Sequence, residues 1–298
     1  MHFVFDGNEA KISSKKTGKE IGKINTVEGV VEIRYVTNNP ILLNKSKKEM
    51  PAQLYPLLKS NLQKQIRRGE KEAVITASMM MDINNFEFLR RLSIIAGEDV
   101  EFSAETSVII WYMAAVSKGF VLCSKDKEFI LKYVASLCEH KVCRRLSMKE
   151  DNLNDKLTMK EILESNHEDK EKLAGIVFRI YFGGLSGDLP MMSLLCDDFL
   201  KNERRLVYFT NERIEFGSIL KFTDSAIDFH IYPNLVSLIS KDTGVSEEII
   251  RKTIWECSSR TNYRFPEKST LDDVWTQIYS SFNFHTKSYL SKILKKFF

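Results

Sequence analysis

Asp228 and His230 stand two residues apart in the run DFH. In an extended segment that spacing turns both side chains to one face. A carboxylate beside an imidazole can orient a general base or help hold a metal. Cys257, in WECSSRTNYR, is a conceivable nucleophile if the fold brings His230 to it. The more ordinary role for His230 is a local hydrogen bond near Pro233. Cys138, His140 and Cys143 form a C-x-H-x-x-C run that could supply metal ligands. It is not a standard zinc spacing and has no second pair nearby, so no metal is expected. GGLSGD, beginning at Gly183, follows no strand and fits no phosphate-binding fingerprint. It reads as a helix C-cap and turn, and no cofactor is expected. No complete catalytic signature appears, so an enzyme is the less favoured reading.

Cations are the other chemistry on offer. Lys59, Lys64, Arg67, Arg68 and Lys71 share one side of a helical segment, and Arg90 and Arg91 sit on a later one. Such residues form a solvated face on many amphipathic helices. They also suit a phosphate backbone, or acidic neighbours. Arg260, Tyr263, Arg264 and Phe265 interleave cations with rings, a mixture that can stack bases and hold phosphates. It equally suits a domain seam in which arginine stems pack on rings. The candidate nucleic-acid contacts are therefore Lys64, Arg67, Arg68, Arg90, Arg91, Arg260 and Arg264.

Helices position most of these groups. Leu54, Leu58, Leu62 and Ile66 recur every four residues, and Gly69 can end that helix. Ala73, Val74 and Ala77 open a second helix, and Asp82 to Asn85 reads as a turn. Phe86, Leu89, Leu92 and Ala96 give a third, which Gly97 is expected to break. Val108 to Val116 is apolar nearly all round, the mark of a buried central helix. Before these, HFVF, EAKIS and VVEIRYVT read as strands, with a turn at Asp6-Gly7-Asn8 and a mobile loop over Lys15 to Lys23. Cys123 and Cys196 read as small core residues. Ser246 and Ser269 read as helix starts, and the chain closes on a basic amphipathic helix from Lys287. The expected class is mainly α: a multi-helix bundle in two halves with a small N-terminal antiparallel β element. The expected divisions are 1–40 (β element), 41–146 (helical bundle), 147–172 (charged linker) and 173–298 (C-terminal helical domain).

The run LQKQIRRGEKEAVITASMMM, followed by FEFLRRLSIIAGEDV, resembles the C-terminal helical region of bacterial replication-maintenance AAA+ ATPases of the MgsA/RarA type. These are clamp-loader-like proteins with a Werner-interacting relative. Gln63, Lys64, Ile66 and Arg67 carry the first part of the likeness. Leu89, Arg90, Arg91, Leu92, Ala96, Glu98, Asp99 and Val100 carry the second, in an RRL…A-x-E-D-V segment. The likeness covers Leu54 to Leu137. No G-x-x-x-x-G-K-[ST] is present, and the 53 residues before Leu54 are too few for a nucleotide module. The resemblance implies the oligomerising helical collar of such proteins without their motor.

Composition agrees with a folded, helix-rich chain: 43% apolar residues, with 13 glycines and 6 prolines in 298 residues. The formal charge of +4 permits nucleic-acid binding without arguing for it. Five cysteines without a framework read as free thiols of a reducing compartment, cytoplasmic or nuclear. No uncharged run is long enough for a membrane span, and MHFVFDGNEAK does not read as a signal peptide. The expected function is a non-ATPase accessory protein of DNA replication or maintenance. Its expected partners are DNA, replication proteins and further copies of itself. The alternatives are a nucleic-acid-processing enzyme using Asp228 and His230, and a protein-interaction scaffold.

Overall fold

The computed structural model describes residues 1–39, 41–44, 54–143, 157–185, 187–209, 219–265 and 269–297. The chain is mainly helical with a small N-terminal sheet, as the hydrophobic periodicity requires. Its described residues fall into two compact units, each assembled from separate stretches. The first draws on Met1–Lys48, Asn84–Ser136 and Val142–Ile214, the second on Glu49–Ile83, Leu137–Lys141 and Glu215–Phe298. These divisions interleave and do not follow linear limits at 40, 146 and 172. Of the expected linker, residues 147–156 lie outside the described residues, and the remainder holds a short helix and the start of another.

In the first unit, β1 (His2–Phe5), β2 (Ala10–Ser13), β3 (Lys19–Thr26) and β4 (Gly29–Tyr35) form one sheet in the order β2-β1-β4-β3. β1 pairs antiparallel with β2 and parallel with β4, so the sheet is mixed where an antiparallel one was expected. β3 occupies much of the stretch read as a mobile loop. Its lysines and glycine gave no strand signal, and its partner is β4, which it pairs antiparallel.

The central helix α3 (Ala104–Ser117) is buried along most of its length, which its unbroken apolar run predicts. Trp111 Nε1 donates to the carbonyls of Phe3 and Arg34, both at 3.1 Å, tying α3 to β1 and β4. Phe5, Tyr35, Trp111, Tyr112 and Phe120 pack ring against ring around that contact. Further helices of this unit are α5 (Met159–Glu164), α6 (Lys170–Val177) and α7 (Asp188–Lys201). The Glu28 carboxylate, on the β3–β4 turn, accepts the N–H groups of Met159 and Lys160 at the start of α5.

α1 (Leu54–Arg68) ends where expected: Gly69 has φ +66°, a conformation that favours glycine. α2 (Ala73–Asp99) is two helices in succession, with Asn84 extended between them (φ −158°, ψ 97°). The Asn84 carboxamide accepts the N–H of Glu87, so one residue serves as turn and N-cap. Gly97 does not break this helix, contrary to expectation. It is needed for packing, because a Cβ there would lie 2.7 Å from Phe102 and 2.9 Å from Leu195. Gly97→Ala is therefore expected to lower the melting temperature. Overpacking costs about 1–3 kcal/mol and exceeds the roughly 1 kcal/mol gained in helix propensity.

The second unit holds α1, the first part of α2, α8 (Leu235–Thr243), α9 (Glu247–Ile254) and α10 (Asp272–Phe297). The last residues of α4 (Ser124–Glu139) also belong to it. Leu235, Ile239, Ile250, Ile254, Ile278 and Phe282 form its core. Ser246 caps α9, accepting the N–H of Ile249. α9 runs into a π-helical turn, Trp255–Ser259, a form often found at functional positions.

Candidate functional site

The second unit gathers most of the chemistry-bearing residues. α1 was expected to show solvent a basic face, yet Lys64 and Arg67 are buried. The cause is that polar partners cover both sides of the helix. Asn61 Nδ2 donates to Thr76 Oγ1 and to the Lys221 carbonyl, and its Oδ1 accepts Thr223 N–H at 3.0 Å. Gln65 joins the same network through Thr76 and Lys221.

Lys64 Nζ lies 2.7 Å from Asp228 Oδ2, and their side chains are 7% and 3% exposed. Ser259 Oγ donates to the same oxygen at 2.9 Å, and the His230 N–H donates to Oδ1 at 2.9 Å. Burial pushes the Asp228 carboxyl up, but the His230 hydrogen bond and the Lys64 ammonium outweigh it and hold it well below the usual carboxylate range. Burial lowers Lys64 from its ordinary value, with Asp228 opposing.

The arginines serve backbone carbonyls. The π-helical turn ends a helix whose last carbonyls lack intrahelical donors. Arg67 donates to the Ser259 carbonyl and Arg68 to the Ser258 carbonyl, both at 2.7 Å. Arg264 stacks on Tyr263 and donates to the carbonyls of Ile66, Leu137 and His140. It thereby ties together the ends of α1 and α4.

The structure thus brings Asp228 and His230 into contact, with Nδ1–Oδ1 at 3.3 Å, while His230 itself is 62% exposed. It seals Asp228 with Lys64 and Ser259, so this carboxylate presents no open acceptor to a substrate. Lys64, Arg67, Arg68, Arg260 and Arg264 lie in the second unit, and Arg90 and Arg91 in the first. Arg90 pairs with Glu87 at 3.4 Å, Arg91 with Glu98 and Asp188 at 3.6 Å, and Arg260 with Glu256 at 3.3 Å. The seven expected nucleic-acid contacts are therefore engaged with acids or carbonyls of the chain itself. Among the described residues no group of three or more His, Cys, Asp or Glu is arranged for a metal. The Cys138 thiol is pushed up to about 12 by burial, which disfavours the thiolate a metal needs. Cys196 is buried as expected, but Cys123 is exposed.

Two features were not singled out as sites in the sequence. One is a pocket of about 390 Å³ within the second unit, whose charged lining is Arg68, Glu70, Lys221 and Asp224. Phe222, Trp275 and Tyr279 supply rings to it. The other is the solvent face of α10. Ser280, Phe284, Lys287, Ser291 and Lys295 form a stripe at i+3 and i+4 spacing, all exposed, with Lys292 and Lys296 beside it. Between Val274 and Phe297 there is no Asp or Glu. That absence was visible in the sequence; which face stays open was not.

No protein-family model, curated protein or solved structure matches this chain.

Proposed function

We propose that this chain is a non-ATPase accessory protein of DNA replication or maintenance that holds nucleic acid along the lysine face of α10. The carrying observation is an exposed run of Lys287, Lys292, Lys295 and Lys296 on a helix without carboxylates after Asp273. Lysines in a last helical turn also offset the helix dipole. Lys287 and Lys292 lie before that turn, where the dipole does not call for them. From Lys287 to Lys296 the helix rises about 14 Å, matching about four base pairs of duplex. Phe284, 68% exposed, continues the stripe and gives a base a ring to stack on. The resemblance of residues 54–137 to the helical collar of MgsA/RarA-type ATPases, without a P-loop, supports the replication setting. In this reading the buried arginines build the unit that presents α10, and assembly with further copies and a replication partner follows from the collar likeness. The setting is intracellular, cytoplasmic or nuclear; no helix among the described residues is long and apolar enough to cross a membrane.

Binding to single- and double-stranded DNA across a salt series tests this, with sedimentation in the same buffers. Affinity falling steeply with salt, and an oligomer, are expected. No retention of either DNA at low salt by a folded sample overturns the reading.

A further inference from the structure

The pocket of the second unit is not used by the lysine face, and its groups define a ligand. Its volume, about 390 Å³, falls in the range of small-molecule sites. The formal charges cancel: Glu70 and Asp224 against Arg68 and Lys221. A strongly charged guest, whether a polyamine or an inorganic anion, therefore gains little there. Arg68 is already engaged, donating to the Lys64 and Ser258 carbonyls and to Thr261 Oγ1. The Lys221 ammonium faces Glu72 at 3.6 Å and stays 64% exposed. The carboxylates are the less engaged groups. Asp224 is exposed, and Glu70 Oε2, although buried, has no hydrogen-bond partner among the described residues. A complementary guest brings adjacent N–H donors on a flat ring that can lie against Phe222, Trp275 and Tyr279. Among the common nucleobases guanine alone carries two neighbouring donors on its pairing edge, N1–H and the N2 amine. Adenine, cytosine and thymine each set an acceptor beside a donor there.

We propose that this pocket receives an unpaired guanine base, with N1–H and N2–H donated to the Asp224 and Glu70 carboxylates and the ring held by Trp275 and Tyr279. The base can come from a free guanine nucleotide or from a single strand lying on α10, since Trp275 and Tyr279 belong to that same helix. The second source rests on the nucleic-acid reading; the first does not. Burial raises Glu70 above its ordinary value, and Asp224 adds to that after Glu72. Arg68 and Lys221 oppose that rise. An ionised Glu70 accepts its guanine donor more strongly than a neutral one, so guanine affinity rises with pH through the Glu70 ionisation.

Calorimetric titration of the full chain with GMP, AMP and inorganic phosphate tests the pocket. Titration with guanine-containing and all-thymine single strands separates the two sources. The variants are Asp224→Asn, Glu70→Gln and the surface pair Lys287→Glu/Lys295→Glu. GMP binding that beats AMP ten-fold, falls at least ten-fold in Asp224→Asn or Glu70→Gln, and persists in the lysine pair establishes a nucleotide site. A ten-fold preference for the guanine strand, lost in the same carboxyl variants, places the base within a bound strand. Equal binding of GMP, AMP and phosphate, with no strand preference, overturns the proposal and leaves the α10 reading standing. GMP selectivity without any DNA retention keeps the pocket and removes the α10 reading. Glu70→Gln keeps the test decisive should Asp224→Asn lose its fold.

Discussion

Asp228→Ala is expected to destabilise the second unit by about 3–5 kcal/mol, the usual cost of leaving one member of a buried ion pair alone. The reason is geometric. Lys64 Nζ meets Asp228 Oδ2 at 2.7 Å with both side chains almost fully covered, and Ser259 Oγ and the His230 N–H also lose their acceptor. Urea titration followed by circular dichroism gives the size of the effect. Lys64→Met/Asp228→Asn is expected to recover part of the loss, because the charge leaves with its partner and the amide oxygen still accepts from either Ser259 or the His230 N–H. The pH dependence has a definite sign. The native carboxyl ionises below its unfolded value of about 3.9, so its contribution is complete above that pH. It is lost as the pH falls from about 4 towards the native value, and the double variant lacks that part of the acid limb. A loss under about 1 kcal/mol in Asp228→Ala would mean that this carboxylate is not structural, and would return it to the list of catalytic candidates.

Lys287→Glu/Lys295→Glu is expected to weaken DNA binding at least ten-fold at low salt and to flatten its salt dependence. Each phosphate contact contributes about −0.9 to the slope of log K against log salt on duplex DNA. Four contacts from α10 give a slope near −3.6, and removing two lowers it to about half. The same pair should lower stability by no more than about 1 kcal/mol, since both lysines are exposed and only Lys295 lies in the last turn, where it offsets the helix dipole. Arg67→Gln/Arg68→Gln should do the reverse. It uncaps the Ser259 carbonyl and leaves the Ser258 carbonyl with only Thr261 Oγ1 as donor, lowering stability while leaving the salt slope of the folded fraction intact. A slope lost through the arginines and kept through the lysines would put nucleic acid on α1 and sink the α10 assignment.

The physical range of each signal explains what could be foreseen. The stop of α1 at Gly69 and the cap of α9 at Ser246 depend on residues within one helical turn, and both were legible. The burial of α3 was legible because an apolar circumference leaves no side for water. β3 was missed because its stability comes from pairing with β4, whereas its own residues, KEIGKINT, carry little strand character. The end of α2 was not legible, because a glycine reads locally as a breaker, whereas close packing against Phe102 and Leu195 is what requires Gly97. The pocket was not legible at all, since Glu70, Asp224 and Trp275 come together only when distant stretches meet.

By itself the sequence determined the helical class, the order of the helices, the central apolar helix and the acid-free basic close of the chain. Periodicity, caps and local charge act over a few residues and need no partner. Only the tertiary structure decided the role of each charge. Lys64 and Asp228 are 164 residues apart in sequence, and their contact turns two candidate site residues into a buried structural pair. A lysine on a helix reads the same whether water or a carboxylate lies beyond it. Burial of Lys64 and Arg67 on α1, and exposure of Lys287, Lys292 and Lys295 on α10, separate the cations that hold the second unit together from those that face solvent.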